Sequence, residues 1–240
     1  MEKILTGKNA IVSGSAGSGS IGFIRALLVQ GATVIVPVNS NDELTLINSH
    51  VSDILSGKLI AELTDLQDCD KMQYLIDTCC EKYGELDIAL FGFDKQWAGA
   101  SLSNINFEEW EQVMARFMNT FFVFGRVVLH KMREQKHGFF ISLSDTDDLE
   151  PKPYSSLINV AGKARLEMAK VFANEVREEE VRYHHLFVKN VSGFNKWKSG
   201  LNTYEMIAAE AIQMYQRRNE LNKVFYTLPG SKINLPEYEF

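Results

Sequence analysis

The chain is poor in cysteine, with three in 240 residues: Cys69, Cys79 and Cys80. An odd count with two of them adjacent specifies no disulfide framework, and a reducing, cytoplasmic compartment is the expectation. A basic excess is also missing. Lys and Arg total 25 against 31 Asp and Glu, a formal net charge of −6, which argues against a nucleic-acid partner or an anionic membrane surface. No apolar run approaches the roughly 18 to 20 residues that span a bilayer. Residues 1–12 lack the basic, apolar and small-residue order of a secretory signal. The five histidines are scattered, and His184–His185 has no Cys or acidic partner at a metal-ligand spacing, so no metal site is expected. Proline is scarce, at five residues. No Pro/Ser-rich linker, repeat or low-complexity tract divides the sequence, and residues 1–240 are expected to form one domain.

What is present is a core. Hydrophobic residues make up 45% and charged residues 23%, enough apolar surface to fold and too little charge for disorder. Short β-branched runs alternate with longer stretches of helical period. The pattern predicts strands at 9–13, 32–38, 58–62, 86–91, 139–143, 182–188 and 224–228. Helices are predicted at 21–30, 42–55, 68–83, 107–135, 156–177 and 204–218. Gly31 and Gly84 come directly after two of these helices, where a positive φ costs glycine little. Such alternation implies right-handed crossovers and a parallel sheet covered on both faces. The expected class is α/β: a Rossmann-type, doubly wound sheet of about seven strands with helices on both faces.

Between the first predicted strand and helix lies Ser13-Gly14-Ser15-Ala16-Gly17-Ser18-Gly19-Ser20-Ile21-Gly22. Glycines there let the backbone approach a pyrophosphate, and the adjoining helix offers free N–H groups and a positive dipole end. The plain alternative is a βα loop that binds nothing; the strand–turn–helix context weighs against it.

Several further segments join this turn. They are Gly7-Lys8-Asn9-Ala10, Leu63-Thr64-Asp65-Leu66, Lys82-Tyr83-Gly84-Glu85-Leu86-Asp87, Trp110 to Met114 and Lys163-Ala164-Arg165-Leu166-Glu167. Together they make the chain resemble the short-chain dehydrogenase/reductase family nearly end to end. Gly14, five intervening residues and then Ser20-Ile21-Gly22 resemble the longer turn of the family's enoyl-thioester reductases. The resemblance implies a bound NAD cofactor held by Gly14, Ala16, Ser20, Ile21, Gly22, Asp65, Leu66, Gly92 and Lys163. The tip of the second strand, Val38-Asn39-Ser40-Asn41-Asp42, shows neither the ribose-binding acid usual for NAD nor basic residues for a 2′-phosphate. NADH is therefore favoured over NADPH.

The same resemblance implies a catalytic Tyr one helical turn before a Lys, with a Ser and an Asn nearby. The Lys charge lowers the Tyr pKa, and the Tyr then acts as general acid. Alignment through Lys163-Ala164 puts Asn159 in the Tyr position and Phe117 in the Asn position. Asn cannot serve as a proton-donating acid. Lys163 and a serine, Ser144 (or Ser142), remain. Tyr154, nine residues before Lys163, stands close to but not at the displaced position used by enoyl reductases, and a partly exposed loop tyrosine is the plainer reading of it. Two functions are open on these grounds. One is an NAD(H)-dependent oxidoreductase of enoyl-reductase type acting on a small molecule or an acyl or polyketide thioester, with Lys163, Ser144 and Tyr154 as catalytic residues. The other is a non-catalytic subunit that binds cofactor or partners an active paralogue. Phe117, Phe121, Phe122 and Phe124 on the long helix point to a dimer face, and the resemblance implies a homodimer or homotetramer.

Overall fold

Asn9–Ser13 form the first strand, β1, without a single exposed residue, and a strand hidden on both sides needs helices above and below it. The chain supplies them in a computed structural model that describes residues 3–13, 18–92, 99–145, 156–188 and 203–228. In order come α1 (Ser18–Val29), β2 (Thr33–Val38), α2 (Asn41–Val51), β3 (Lys58–Leu63), α3 (Cys69–Tyr83) and β4 (Leu86–Phe91). Next are α4 (Phe107–Met114), α5 (Thr120–Glu134), β5 (Gly138–Asp145), α6 (Ser156–Glu175), β6 (Val181–Val188), α7 (Tyr204–Gln216) and β7 (Phe225–Thr227). The strands pair in parallel in the order β3-β2-β1-β4-β5-β6-β7. This is the seven-stranded, Rossmann-type α/β sheet that the alternation predicts.

Each face has its own core. On one, Phe23, Ile24 and Leu27 of α1 meet Ile207, Ala211 and Tyr215 of α7 over Val12, Val34 and Phe139. On the other, Phe121, Phe124 and Val128 of α5 and Phe172 of α6 cover Ile11, Ala89 and Phe140. Two of the segments that carry the family resemblance, 7–10 and 82–87, turn out to be architectural. Lys8 Nζ donates to Asp87 Oδ1 at 2.7 Å, Asn9 N–H to Asp87 Oδ2 at 2.9 Å, and Asn9 Nδ2 to the carbonyls of Tyr83 and Glu85. They lock β1 to β4 at the N-terminal end of the sheet, away from the glycine turn.

The long helix expected at 107–135 differs in two ways. A π-helical turn, Ala115–Asn119, separates α4 from α5, inserting one extra residue per turn and rotating α5 relative to α4. Its aromatics are mostly core. Phe117, Phe121 and Phe124 are buried, whereas Phe122, 47% exposed, and Phe107, 72% exposed at the start of α4, face outward. Phe91 takes Phe121 and Phe124 edge-on at 4.9 and 5.4 Å. A Cβ on Gly125 would lie 2.4 Å from the Phe172 ring, so a glycine is required for α5 to approach α6. The aromatic run therefore fills the space between sheet and α6; it is not a ready-made dimer face.

Candidate functional site

In a doubly wound sheet the ligand crevice opens beyond the C-terminal strand ends where the strand order reverses. Here that point lies between β1 and β4. Gly92 N–H donates to Ser13 O at 3.1 Å, drawing the two strand tips together. A Cβ on Gly92 would sit 3.2 Å from Ser20 Oγ and 3.3 Å from Ser13 O. Ser13, Ser20 and Gly92 thus form a cradle that a larger side chain would fill, beside the first turn of α1. That turn bears no acidic residue, so its dipole faces the crevice without a built-in counter-charge.

The expected cofactor residues divide. Ser20 and Gly92 meet directly. Ile21 is buried in the core and offers the crevice only backbone. Gly22 does something else: a Cβ there would fall 2.6 Å from Tyr204 Cβ, so its bareness lets α1 pack on α7. Gly14 and Ala16 lie outside the described residues. At the end of β3, Asp65 is exposed and its Oδ1 accepts the Gln67 N–H at 3.0 Å, while Leu66 is buried beneath it in the core.

The tip of β2 carries a charge that strand reading overlooks. Ser40 caps α2, its Oγ accepting the Glu43 N–H at 3.2 Å, and Glu43 Oε2 reaches back to accept the Asn39 N–H at 2.9 Å. This Ser-x-x-Glu capping box is legible in the sequence. It delivers from the helix the carboxylate that the strand lacks.

One position that the resemblance aligns with a polar group of the family carries an apolar side chain instead. Phe117, on the π-helical turn, packs with Leu157, Ile158 and Ala161 of α6. Asn159 is half-buried on α6, one turn before the exposed Lys163. Tyr154 lies outside the described residues. Of the two serines left open by the sequence, Ser142 is already engaged: its Oγ lies 2.6 Å from Tyr183 Oη and 2.7 Å from His185 Nδ1. Ser144 is fully enclosed, 0% exposed, and its Oγ has no hydrogen-bond partner among the described residues.

Beneath these residues is a buried polar cluster that the sequence reading did not anticipate. Arg165, two residues beyond Lys163, turns into the protein and donates from Nη2 to Leu143 O at 2.9 Å. Its guanidinium lies 5.6 Å from the Phe91 and Phe121 rings. Burial, with Arg165 nearby, pulls His185 down to about 3, and burial raises the Tyr183 phenol above its ordinary range. Both stay neutral. The Ser142–His185 contact has the spacing of a nucleophile and its base, yet both residues are closed off from solvent and can meet no substrate. The period-2 alternation of Tyr183 and His185 within β6 is the signal that could have placed them on one face. On α3, burial raises the Cys79 thiol to about 11, so it is no activated nucleophile. Among the described residues no group of His, Cys, Asp and Glu is arranged to hold a metal ion.

A family model described as short chain dehydrogenase matches residues 8–193. The chain belongs to the short-chain dehydrogenase family. It is 23% identical over 160 residues to the short chain dehydrogenase/reductase dpmpG of Macrophomina phaseolina, covering 67% of this chain and 83% of that one. It is 24% identical over 182 residues to the 3-oxoacyl-[acyl-carrier-protein] reductase FabG of Thermotoga maritima, covering 74% and 72%. Among solved structures, levodione reductase superposes with a TM-score of 0.81 at 13% identity, over 93% of this chain and 96% of that one. A short chain dehydrogenase from Mycobacterium smegmatis gives 0.82 at 17% identity, over 97% and 95%. The structural likenesses concern the fold, and the family is one of oxidoreductases that typically bind NAD(P).

Proposed function

We propose that this short-chain dehydrogenase binds NADH and acts as a divergent oxidoreductase of enoyl-reductase type. The observation that carries the cofactor is the Ser13–Ser20–Gly92 cradle at the reversal point of the sheet. Its bare backbone and the α1 dipole suit a pyrophosphate. Glu43, held against Asn39 at the β2 tip, suits ribose hydroxyls and repels a 2′-phosphate, which supports NADH over NADPH. Asp65 and Leu66 would border the adenine.

Bound NADH supplies the hydride. The chain's own residues supply position and protons. Lys163 offers an ammonium at the crevice for ribose hydroxyls. Ser144, with its unpartnered hydroxyl, is suited to donate to a substrate oxygen once a strand tip or side chain shifts to admit it. Asn159 binds without giving up a proton, so Tyr154 is left as the candidate acid, and an activated alkene or enoyl thioester as the substrate class. Exposed Phe122 on α5 and Val171 on α6 mark the surface proposed for a homodimer or homotetramer. Among the described residues no helix is long and apolar enough to cross a membrane.

A second reading draws on a different observation. Phe117 seals the wall where a polar residue would serve chemistry, and Ser144 is enclosed, as a subunit that binds cofactor without turnover would have it. Calorimetry with NADH and NADPH, followed by NADH oxidation against ketones and enoyl thioesters, separates the possibilities. Binding with turnover of enoyl thioesters supports the first reading, and binding without any turnover the second. Absence of NADH binding removes both.

A further inference from the structure

The two edges of the sheet are unequal. β7 has three residues, whereas β3 runs six, Lys58–Leu63, in unbroken register with β2 and without proline or bulge. Among the described residues β2 is its only neighbour in the sheet. Shortness, bulges and prolines are common protections of an edge against added strands; β3 has none of them.

Two hydrogen bonds fix which backbone groups face outward. Lys58 N–H donates to Ala32 O at 3.0 Å, and Thr64 N–H to Val38 O at 2.9 Å. Peptide groups alternate sides along a strand. Lys58, Ile60, Glu62 and Thr64 therefore bond inward to β2, and Leu59, Ala61 and Leu63 hold their N–H and C=O at the open edge. Side chains keep the same period, Leu59 and Ala61 packing on the α1 side of the sheet and Ile60 on the α3 side.

We propose that this edge pairs with the same edge of a second copy of the chain, antiparallel, about a two-fold axis through Ala61. In that register Ala61 faces the partner's Ala61 and Leu59 faces the partner's Leu63, so all three outward residues form hydrogen-bonded pairs. On the opposite face Lys58 stands diagonal to the partner's Glu62, and symmetry repeats the pair. Those two lysines offset the one like-charge approach, Glu62 to the partner's Glu62. The surroundings fit a covering partner. Leu63 is 55% and Tyr74 of α3 is 74% exposed, and both line a cleft of about 620 Å3 between this edge and α3. A foreign strand would satisfy the backbone equally. The second copy is singled out because one register uses every outward group, sets leucine on leucine and gives each lysine a glutamate.

This surface is separate from the α5–α6 face, so cross-linking decides and mass alone does not. Ala61→Cys would place two thiols on Cα atoms about 5.5 Å apart, inside the roughly 4.4–6.8 Å range of a disulfide. Copper–phenanthroline oxidation of the full chain is expected to give a disulfide-linked dimer on a non-reducing gel, absent from the parent with its three native cysteines. Ala61→Pro removes only an outward N–H and leaves the β2 ladder intact. It is expected to halve the mass of the largest species in sedimentation while circular dichroism stays unchanged. No cross-link in Ala61→Cys, with an unchanged mass for Ala61→Pro, overturns the proposal and leaves the edge to a strand from another protein or to solvent.

Discussion

Two walls meet at the crevice, and they are built from different materials. The β1–α1–β4 wall is glycine, serine and backbone: Ser13, Ser20, Gly92 and the free end of a helix. The wall proposed opposite it, from the π-helical turn, β5 and α6, is side chains, and by the family alignment they do not suit ordinary carbonyl reduction: Phe117, an enclosed Ser144 and Asn159. A pyrophosphate is recognised by N–H groups and a dipole that any sequence of small residues can present. Proton transfer needs one particular group with a matched pKa at hydrogen-bond distance. A wall proposed to bind can therefore stand beside one that lacks the usual proton donor.

The sharpest way to break that contrast is kinetic. Positioned general acid catalysis is worth about 100- to 10,000-fold, so with Asn159 in the acid position simple ketones should be reduced at background rate. Steady-state NADH oxidation with a ketone panel checks this. Efficient turnover by the parent chain would mean that another residue serves as the acid and that the α6 wall is intact.

The next effect belongs to two buried histidines of β6, His185 behind that wall and His184 on the opposite face of the sheet against Phe139 and Tyr226. Burial holds His184 at about 4 and His185 at about 3 in the folded chain, against about 6.5 when unfolded. Below that value the unfolded chain takes up protons that the folded chain refuses, so stability is full above it and lost as pH falls toward the folded values. Between pH 7 and pH 5 the loss should reach about 2 kcal/mol per histidine. Urea denaturation across this range should show it, and His185→Phe should remove about half of the slope. A flat profile would mean that the two histidines accept protons while folded.

Two glycines sharpen the binding side. Gly22→Ala should cost about 1–3 kcal/mol of stability by overpacking against Tyr204, with the NADH Kd unchanged. Gly92→Val should instead weaken NADH by about tenfold or more, about 1.4 kcal/mol, since it fills the cradle; melting curves and calorimetry on both variants separate the two roles. The smallest effect is expected at Ser144. Its hydroxyl is buried and unpartnered, so Ser144→Ala should raise stability by up to about 1 kcal/mol, visible as a small rise in Tm. A fall would reveal a partner for that hydroxyl.

Much of the architecture was legible because it rests on period and punctuation. Every predicted strand formed, from Asn9–Ser13 to Phe225–Thr227, with ends shifted by up to two residues. Gly31 and Gly84 do adopt positive φ. The π-helical turn at Ala115–Asn119 was not legible, since a one-residue bulge leaves the apolar pattern nearly intact. Nor was the inward turn of Arg165, whose neighbours Lys163 and Glu167 are exposed.

The site divides along the same line. By itself the sequence determined the parallel sheet, the place of the glycine turn between the first strand and helix, and the presence of Asn159, not a tyrosine, four residues before Lys163, because local pattern and residue identity suffice for each. Tertiary structure alone decided that Gly22 meets α7 while Gly92 lies against Ser13 and Ser20 at the crevice, and that Ser142 is occupied while Ser144 is not. Those distinctions depend on which atoms approach within a few ångströms across elements far apart in the chain, and spacing along one strand or helix carries no record of that.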